Sequence, residues 1–324
     1  MKAFVFRRYG GPDELHLEEV AKPIPGDDEV LIKVHAVALN DWDWQILQGI
    51  PLANRVTFGL LKPKKHILGS DVAGRVEAVG ARVQRFGPGD EVLGDLSGRW
   101  GGFAEYVCAR EDALVAKPAA MSFVEAAAIP QAATLALQGL RDKGRITRGQ
   151  KILINGAGGG VGTFAFQLAR PYGAEVTGVD SSGKLDLLHS LGFAEVIDYA
   201  QEDFTRAGRL YDLILDVKTN RPLRDYLRVL TPRGAYVTVG GETGKLVQVM
   251  TMGPLLSLLG KKRVAMVILK LNKDLDYLCE LSQAGKLTPV IDGPYGWNEL
   301  PEAMRHLGQG THKGKVVIRP EADD

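Results

Sequence analysis

Cysteine, net charge and histidine clusters are all scarce in this 324-residue chain, and each scarcity excludes a class of protein. Cys108 and Cys279 are the only cysteines and lie far apart, so we expect neither a disulfide framework nor a cysteine-rich metal site, and we predict buried or inert thiols. The formal net charge of +1 gives no general attraction to nucleic acid or to an anionic membrane. The 6 histidines show no metal-ligand spacing.

Long apolar runs are also missing. The most apolar stretch, residues 246–271, is interrupted by Gly253, Pro254 and a basic cluster at 261–263, whereas a membrane-spanning helix needs about 20 continuous apolar residues. The first residues, MKAFVFRRYGG, lack the apolar core and the cleavage site of a signal peptide. We therefore expect no integral membrane segment, no nucleic-acid partner and a cytoplasmic location.

What is present is the composition of a globular protein with room for two domains, with 45% apolar and 24% charged residues. The first third predicts β-structure, because the segment EVLIKVHAVAL alternates apolar side chains at Val30, Ile32, Val34 and Ala36. Short apolar runs separated by glycine and proline follow, as in a small barrel-like domain.

The pattern changes after residue 121. Ser122 and Glu125 have the spacing of a capping box and predict the start of a helix. From Lys151 onward, strands such as KILIN, EVTGVD and YDLILDV alternate with helices such as VGTFAFQLARPYG and KLDLLHSLG. This alternation predicts a parallel sheet with helices on both faces. The segment KGKVVIRP predicts one more strand, and the sequence leaves open whether it returns to the first domain.

A glycine-rich segment, NGAGGGVG, lies between the strand KILIN and the helix that follows it. Read from Ala157, it fits the pattern A-x-G-x-x-G, in which Gly159 lets the backbone approach a pyrophosphate and Gly162 lets the helix pack closely on its strand. The N–H groups at the start of the helix attract phosphates. Because Asp180 also ends the next strand, we predict that the chain binds a dinucleotide.

The loop at Asp180 leaves the choice between NADH and NADPH open. A carboxylate at this position hydrogen-bonds a ribose 2′-hydroxyl and repels a 2′-phosphate. In the same loop, however, the hydroxyls of Ser181 and Ser182 and the ammonium of Lys184 are groups that can hold a phosphate.

The β-rich first third, the segments INGAGGGVGTFAFQLA and LGFAEVIDY and the final GKVVI together resemble the medium-chain dehydrogenase/reductase superfamily, in its zinc-independent quinone oxidoreductase branch. The likeness is greatest to the group of the reticulon-4-interacting mitochondrial oxidoreductase. It implies an α/β fold with a GroES-like β-rich catalytic domain at 1–121, completed by 289–324, and a Rossmann doubly wound parallel sheet at 122–288. It also implies a cofactor in the cleft between the domains and a homodimer, with a monomer as the alternative.

Zinc-dependent members of the superfamily carry a cysteine, a histidine–glutamate pair and a second cysteine at positions that here read Asn40, Ser70 with Asp71, and Gln131. A catalytic zinc needs three protein ligands, usually Cys, His or Glu, so we expect no zinc. The expected chemistry is then hydride transfer to an acceptor that carries its own electron sink, such as a quinone or an α,β-unsaturated carbonyl.

The resemblance also assigns two catalytic residues. Asn40 matches an asparagine near the nicotinamide and Asp43 follows it at the usual distance, so the pair is expected to orient the acceptor or the cofactor amide, or else to cap a helix. Relatives often have a tyrosine where this chain has Gln45, which leaves the proton donor open. Trp42 and Trp44 either wall an aromatic substrate or belong to the core, and we expect one of them to be core.

The cofactor contacts implied by the resemblance fall into four sets, and they favour NADPH while Asp180 keeps NADH open. They are a diphosphate turn at Gly159, Gly160, Val161 and Gly162, a 2′-phosphate site at Ser181, Lys184 and Tyr199, a nicotinamide side at Gly240 and Gly241, and a phosphate-facing charge at Lys315.

We therefore predict a zinc-independent NAD(P)H-dependent oxidoreductase that transfers hydride to a quinone or an enone as its small-molecule substrate. The alternatives are a zinc-free alcohol or aldehyde oxidoreductase, a free-standing enoyl reductase, and a noncatalytic NADPH-binding sensor or assembly protein. The apolar residues 246–271 are expected to cap the cleft, to form a subunit contact or to touch a membrane that carries a lipid quinone.

Overall fold

The computed structural model describes residues 1–320, which divide into two compact units. The first unit comprises Met1–Gln131 and the chain from Leu271 onward, and the second comprises Ala132–Lys270. The boundaries thus lie after residues 131 and 270, whereas the sequence predicted them after 121 and 288. They differ because the helices at 123–128 and 275–283, assigned above to the Rossmann domain, pack on strands of the first unit.

The strands within the described residues follow the chain as β1 (Lys2–Val5), β2 (His16–Glu19), β3 (Glu29–Ala38), β4 (Asp71–Val79), β5 (Glu91–Asp95), β6 (Tyr106–Arg110), β7 (Val115–Ala116), β8 (Lys151–Asn155), β9 (Glu175–Asp180), β10 (Glu195–Asp198), β11 (Tyr211–Asp216), β12 (Leu230–Thr238), β13 (Arg263–Met266), β14 (Ile291–Gly296) and β15 (Lys315–Arg319).

The helices are α1 (Asp41–Gln48), α2 (Leu52–Phe58), α3 (Phe123–Ala128), α4 (Pro130–Leu137), α5 (Gly160–Ala169), α6 (Leu185–Leu191), α7 (Leu223–Arg228), α8 (Thr243–Leu259), α9 (Leu275–Gln283) and α10 (Leu300–Gln309). A π-helical turn at Gln138–Lys143 follows α4 directly.

The first unit is built around one mixed sheet with the strand order β14-β15-β3-β4-β5-β7, and β6 also pairs with β3. Strand β3 is the alternating segment of the sequence, and most of its side chains are buried. Strand β15 pairs antiparallel with β3 at Val317 and Ala38. The segment KGKVVIRP therefore completes the sheet of the first unit.

The second unit contains a parallel sheet with the strand order β10-β9-β8-β11-β12-β13. The chain leaves β8 toward β9 and β10 on one side and continues with β11, β12 and β13 on the other. The strand order therefore reverses beside β8, and ligands of such sheets bind at the carboxyl ends of the strands at this switch point. The predicted α/β class and Rossmann sheet are confirmed, with KILIN at the switch point.

The helix predicted to begin at Ser122 does so through the expected capping box. The Ser122 hydroxyl oxygen accepts a hydrogen bond from the Glu125 N–H at 3.2 Å, and the Ser122 N–H donates to the Glu125 carboxylate at 2.9 Å. The helical run then divides into α3 and α4 at Pro130, because proline has no N–H for the helical hydrogen bond.

The apolar residues 246–271 form most of α8 and all of β13. The interruption at Gly253 and Pro254 does not break the helix, which continues to Leu259. Gly253 allows close packing, since a Cβ there would lie 2.9 Å from the Val264 side chain on β13. Among residues 1–320, no helix combines the length and apolarity that crossing a bilayer requires.

The two thiols have the inert character predicted for them. Cys279 is buried and Cys108 is half-buried. Burial raises the pKa of the Cys279 thiol to about 12 and that of Cys108 to about 11. Neither forms a reactive thiolate at neutral pH.

Helices α1 and α10 pack against each other at Gly308. A Cβ on Gly308 would lie 2.3 Å from the Trp44 ring, so only glycine fits. Trp44 packs on the core of the first unit, whereas the Trp42 side chain, two residues earlier, is 45% exposed. Of the two tryptophans, Trp44 is therefore the core residue that we expected.

We expect Gly308→Ala to lower the free energy of unfolding by about 1–3 kcal/mol, because the new methyl group must displace the Trp44 ring. Gly87→Ala is a matched control in the same unit, since a Cβ at Gly87 meets nothing within 4 Å. Urea unfolding measures both variants. Equal stabilities would contradict the close packing of α1 on α10.

Candidate functional site

The glycine-rich turn connects the carboxyl end of β8 to α5. Gly159 directly precedes the helix, and Gly160, Val161 and Gly162 form its first turn. A Cβ on Gly162 would lie 2.4 Å from the Gly156 carbonyl oxygen, so glycine is required for α5 to approach the turn this closely. The first N–H groups of a helix have no intrahelical partner, and this positive end is a binding site for phosphates.

Asp180 ends β9 beside this turn, and its carboxylate is buried there. Oδ2 accepts a hydrogen bond from the Gly158 N–H at 2.8 Å, and Oδ1 accepts one from the Ser181 N–H at 2.9 Å. The Lys184 ammonium lies 3.6 Å from Oδ1, and both side chains are less than a tenth exposed. The carboxylate therefore braces the glycine turn, and its charge is balanced by Lys184.

The groups predicted to hold a 2′-phosphate lie around this pair, at the ends of neighbouring strands β9 and β10. The Lys184 stem packs on Gly158, where a Cβ would lie 2.8 Å from Lys184 Cδ. Ser181 is half-buried at the start of the same loop. Tyr199 follows β10 directly, its backbone N–H donates to the Asp180 carbonyl oxygen at 3.2 Å, and its side chain is 52% exposed.

Gly240 and Gly241 follow β12 at the same edge of the sheet. The Gly240 carbonyl oxygen accepts a hydrogen bond from the Thr219 N–H at 3.0 Å. A Cβ on Gly241 would lie 2.4 Å from the Thr219 nitrogen, and its φ of +145° also favours glycine. The two glycines thus allow the segments after β11 and β12 to meet beside the switch point.

A buried polar network next to the turn was missed by the sequence analysis. Asn155 Nδ2 donates to Asp216 Oδ1 at 2.8 Å, and the Tyr236 hydroxyl donates to Asp216 Oδ2 at 2.7 Å. Burial raises the pKa of the Asp216 carboxyl. The sequence did contain a signal for this network, because the apolar strands β8 and β11 end in the polar residues Asn155 and Asp216. The network ties together the carboxyl ends of β8, β11 and β12, and this edge of the second unit fits a nicotinamide dinucleotide.

In the first unit, the strand register brings charged and amide side chains together. Asp71 opens β4 and pairs with Asp95 at the end of β5 and with Ala38 at the end of β3. Asn40 follows β3, and Lys315 opens β15 on the other side of β3. Asn40, Asp71, Asp95 and Lys315 are all buried, and we call them the Lys315 cluster.

The ammonium of Lys315 holds this cluster together. Its Nζ donates to the Leu39 carbonyl oxygen at 3.0 Å, to Asn40 Oδ1 at 2.6 Å and to Asp71 Oδ2 at 3.1 Å. These bonds use all three N–H groups of an ammonium. The resemblance implied a charge facing the cofactor phosphates at this position, whereas the structure commits Lys315 to the interior of the first unit.

Lys315 also determines the orientation of the Asn40 carboxamide. Because an ammonium only donates, the Asn40 atom beside it is the oxygen. Asn40 Nδ2 then donates to the Ser70 hydroxyl oxygen at 3.1 Å. The Asn40 side chain also forms a hydrogen bond with the Asp71 carboxylate, so the amide N–H groups face Ser70 and Asp71.

Asp43 has the capping arrangement that was the alternative to a substrate contact. Its Oδ2 accepts a hydrogen bond from the Asn40 N–H at 2.9 Å, and its Oδ1 accepts one from the Gly69 N–H at 3.0 Å. Burial raises the pKa of the Asp43 carboxyl to about 7. Asp43 thus joins the start of α1 to the loop before β4.

The positions at which zinc-dependent relatives carry ligands converge in this structure, but their residues do not fit a catalytic zinc. Asn40 contacts Ser70, and the Gln131 backbone N–H lies 3.2 Å from Asp71 Oδ1. These four residues offer two amides, a hydroxyl and one carboxylate, without the thiolates or imidazoles of catalytic zinc sites. The carboxylate, that of Asp71, already pairs with the Lys315 ammonium. Within residues 1–320, no three or more His, Cys, Asp and Glu side chains are grouped to hold a metal ion.

Comparison with known proteins places both units in one family. The model of the alcohol dehydrogenase GroES-like domain matches residues 26–119, and the model of the zinc-binding dehydrogenase domain matches residues 191–318. A 2-methylene-furan-3-one reductase from Solanum lycopersicum is 35% identical over 99% of this chain and 79% of its own length. An NADPH-dependent alkenal/one oxidoreductase from Arabidopsis thaliana, named as chloroplastic, is 33% identical over 99% of this chain and 80% of its own length.

The fold comparison agrees with the sequence comparison. The quinone oxidoreductase from Coxiella burnetii superposes with a TM-score of 0.87 and 29% identity, covering 98% of this chain and 99% of that one. Together with the glycine turn and the GroES-like sheet, these matches show that the chain belongs to the medium-chain dehydrogenase/reductase superfamily, in its quinone oxidoreductase branch.

We expect Lys315→Met to lower the free energy of unfolding by about 3–5 kcal/mol at pH 8, because it leaves Asp71 as an unpaired buried charge. The pKa of Asp71, raised by burial to about 7, rises further without the ammonium. An acid whose folded-state pKa is raised loses stability as the pH rises, so the deficit shrinks toward pH 5.

The double variant Lys315→Met with Asp71→Asn is the control, because it removes both charges. At pH 8 its stability deficit is expected to be smaller, and its own free energy of unfolding is expected to lack the pH dependence that the Asp71 carboxyl contributes. Urea unfolding at pH 5, 6.5 and 8 makes the comparison. A deficit of the single variant that stays constant across this range would contradict the buried ion pair.

Proposed function

We propose that this protein is a zinc-independent, NADPH-dependent oxidoreductase that reduces quinones and α,β-unsaturated carbonyl compounds. The observation that carries the proposal is the combination of a dinucleotide turn in the second unit with the Lys315 cluster in the first, in which Asn40 and Asp71 occupy positions of zinc ligands. The names of the relatives support it, since they specify a quinone, a furanone and an alkenal or alkenone as substrates.

A bound nicotinamide cofactor supplies the hydride. Quinones and enones have conjugated carbonyl groups that take up the electron pair, so the protein needs only to orient the acceptor, exclude water and offer hydrogen-bond donors. We assign the Asn40 carboxamide, which donates to the Ser70 hydroxyl oxygen, to this role. Because Lys315 and Ser70 hold the amide, it is oriented before the reaction, and a donor of this kind stabilises negative charge that develops on a carbonyl oxygen.

We propose NADPH rather than NADH because of the contacts of Asp180. A carboxylate that selects NADH accepts hydrogen bonds from the ribose. Both oxygens of Asp180 already accept backbone N–H bonds, and Lys184 balances their charge. Ser181, Lys184 and Tyr199 are then the residues that contact a 2′-phosphate. The Arabidopsis relative, named as NADPH-dependent, supports this choice.

A cytoplasmic location and a homodimer belong to the same proposal, although the Arabidopsis relative is named as chloroplastic. Strand β13 lies at the edge of the second unit's sheet. Helix α8 beside it exposes Val247, Met250 and Leu255, each more than half accessible. A subunit contact would cover this apolar surface, and we favour it over the other roles considered for residues 246–271.

The function is tested by mixing the purified chain with NADPH and either 1,4-naphthoquinone or trans-2-hexenal. We expect the absorbance of the reduced nicotinamide to fall with both acceptors, and we expect the rate to survive dialysis against EDTA. Absence of oxidation with every quinone and enone tried would refute the proposed reaction. Loss of activity on chelation, restored by zinc alone, would refute zinc independence.

Tyr199→Ala tests the cofactor assignment. We expect the Kd for NADPH to rise about three- to tenfold and the Kd for NADH to stay within about twofold, because only the 2′-phosphate contact is lost. Tyr277→Ala is the matched control, since Tyr277 is a similarly exposed tyrosine outside the second unit. Calorimetric titration measures both cofactors, and equal weakening of the two would contradict a 2′-phosphate site at Tyr199.

A further inference from the structure

Trp100, in the loop between β5 and β6, has a strained backbone. Its φ is +60°, in the left-handed region that bulky side chains rarely adopt. Gly101 follows it, but Trp100 itself is an L-residue with a large ring, and its side chain is only 3% exposed. Strain of this kind costs about 1–3 kcal/mol and is concentrated at functional sites.

Trp100 also carries an unsatisfied polar atom. Its indole N–H is buried and has no hydrogen-bond partner among residues 1–320. A buried donor without an acceptor is unfavourable in a folded protein, and most such groups find a partner. A left-handed backbone conformation and an unpaired buried donor thus coincide at one residue.

The neighbours of Trp100 are aromatic. The ring of Phe58 on α2 stacks on it, with centroids 6.0 Å apart and an interplanar angle of 19°. The ring of Trp42 lies 6.1 Å away at 50°. Trp42 is in the first turn of α1, two residues after Asn40 of the Lys315 cluster. We call Trp42, Phe58 and Trp100 the aromatic cluster.

The aromatic cluster is continued by exposed apolar side chains on the segment around α2. Leu52, Val56, Leu60 and Leu61 are between 69% and 89% exposed. Such a concentration of exposed apolar side chains within ten residues is typical of a surface that binds an apolar ligand or partner.

We propose that the aromatic cluster is the ring-binding surface for the acceptor and that the Trp100 indole N–H donates a hydrogen bond to an acceptor carbonyl oxygen. The surface therefore selects aromatic quinones over aliphatic enones. This inference rests on the proposed function and adds its substrate preference. The nitrogen is covered in the structure, so a neighbouring side chain has to move for the acceptor to reach it.

The chemistry of a quinone fits this arrangement. A planar fused ring stacks on tryptophan and phenylalanine faces, which an aliphatic chain does not. A bound NADPH would supply the hydride and solvent the proton that together convert the quinone into the hydroquinone, with the electron pair taken up by a carbonyl oxygen. The indole keeps its proton throughout, because it serves as a hydrogen-bond donor to the oxygen on which charge develops.

Trp100→Phe separates this role from a purely structural one. The variant keeps an aromatic ring and removes the unpaired N–H. We expect the KM for 1,4-naphthoquinone to rise about fivefold, which corresponds to about 1 kcal/mol, while the melting temperature does not fall. A structural role predicts the opposite, with a lower melting temperature and an unchanged KM.

Trp297→Phe is the matched control. The Trp297 indole N–H is also buried without a partner in the described chain, but its ring packs on Phe4 and is not part of the aromatic cluster. We expect this variant to leave the KM for the quinone unchanged. An equal rise in KM for Trp100→Phe and Trp297→Phe would overturn the proposal.

Trp42→Ala tests the ring preference. We expect the KM for 1,4-naphthoquinone to rise about tenfold and that for trans-2-hexenal to change by less than about twofold, since the enal has no ring to stack. Equal effects on both acceptors would refute selection by the aromatic cluster.

A binding measurement keeps this inference separate from the proposed function. Quenching of tryptophan fluorescence by 1,4-naphthoquinone, corrected for quinone absorbance, is titrated without NADPH. We expect Trp42→Ala and Trp100→Phe to weaken binding and Trp297→Phe to preserve it. Binding with this pattern but without turnover would refute the reaction and leave the surface supported. Turnover by the wild type with unchanged quinone binding in both cluster variants would refute the surface.

Discussion

The buried ion pair between Lys315 and Asp71 is the interaction on which the first unit depends. Removing two opposite charges from water costs several kcal/mol for each, and only close pairing with further hydrogen bonds offsets that cost. Lys315 therefore has one favourable position, against Asp71, Asn40 and the Leu39 carbonyl oxygen. Because Lys315 opens β15 and Asp71 opens β4, on either side of β3, the pair also restricts the register of three neighbouring strands.

The second unit also contains a buried aspartate–lysine pair, Asp180 and Lys184, which lies beside the glycine turn. Asp180 accepts two backbone N–H bonds, one from the glycine turn and one from its own loop, and Lys184 lies beside it. The glycine turn has few side chains of its own, so a carboxylate outside the turn supplies the contact that holds it. In both units a lysine and an aspartate convert a flexible segment into a defined one, which an oriented cofactor or acceptor requires.

Local patterns in the sequence were sufficient for the parallel sheet, for the start of α3 and for the glycine turn, whereas the GroES-like domain and the return of the last strand to it were implied by the resemblance. The alternation in β3, the Ser122 capping box and the glycine spacing each depend on residues a few positions apart, and all three appear in the structure as predicted. The direction of the Asp180 carboxylate was beyond such patterns, because it depends on the backbone of Gly158, 22 residues away. The partner of Lys315 lies 244 residues away, so its ammonium was assigned to the cofactor phosphates instead.

The contrast between local patterns and distant contacts also explains why the sequence did not show which tryptophan, Trp42 or Trp44, belongs to the core. Trp42 and Trp44 are both in α1, and nothing near them in the sequence distinguishes core from surface. The distinction arises from Gly308, which admits the Trp44 ring against α10. The buried network at Asp216 was visible as polar residues ending apolar strands, but its meaning required the strand order, which places β8 beside β11.

The order of these elements along the chain affects how the protein is made. The sheet of the first unit receives β15 only after every residue of the second unit has been synthesised. Until then Asp71 lacks Lys315 as its partner, and the carboxyl end of β3 lacks β15, although β6 already pairs with the first half of β3. During translation the second unit, whose sheet is contiguous in the chain, can fold first, while the first unit stays incomplete on the ribosome. Chaperones that bind nascent chains would therefore meet an unfinished GroES-like sheet.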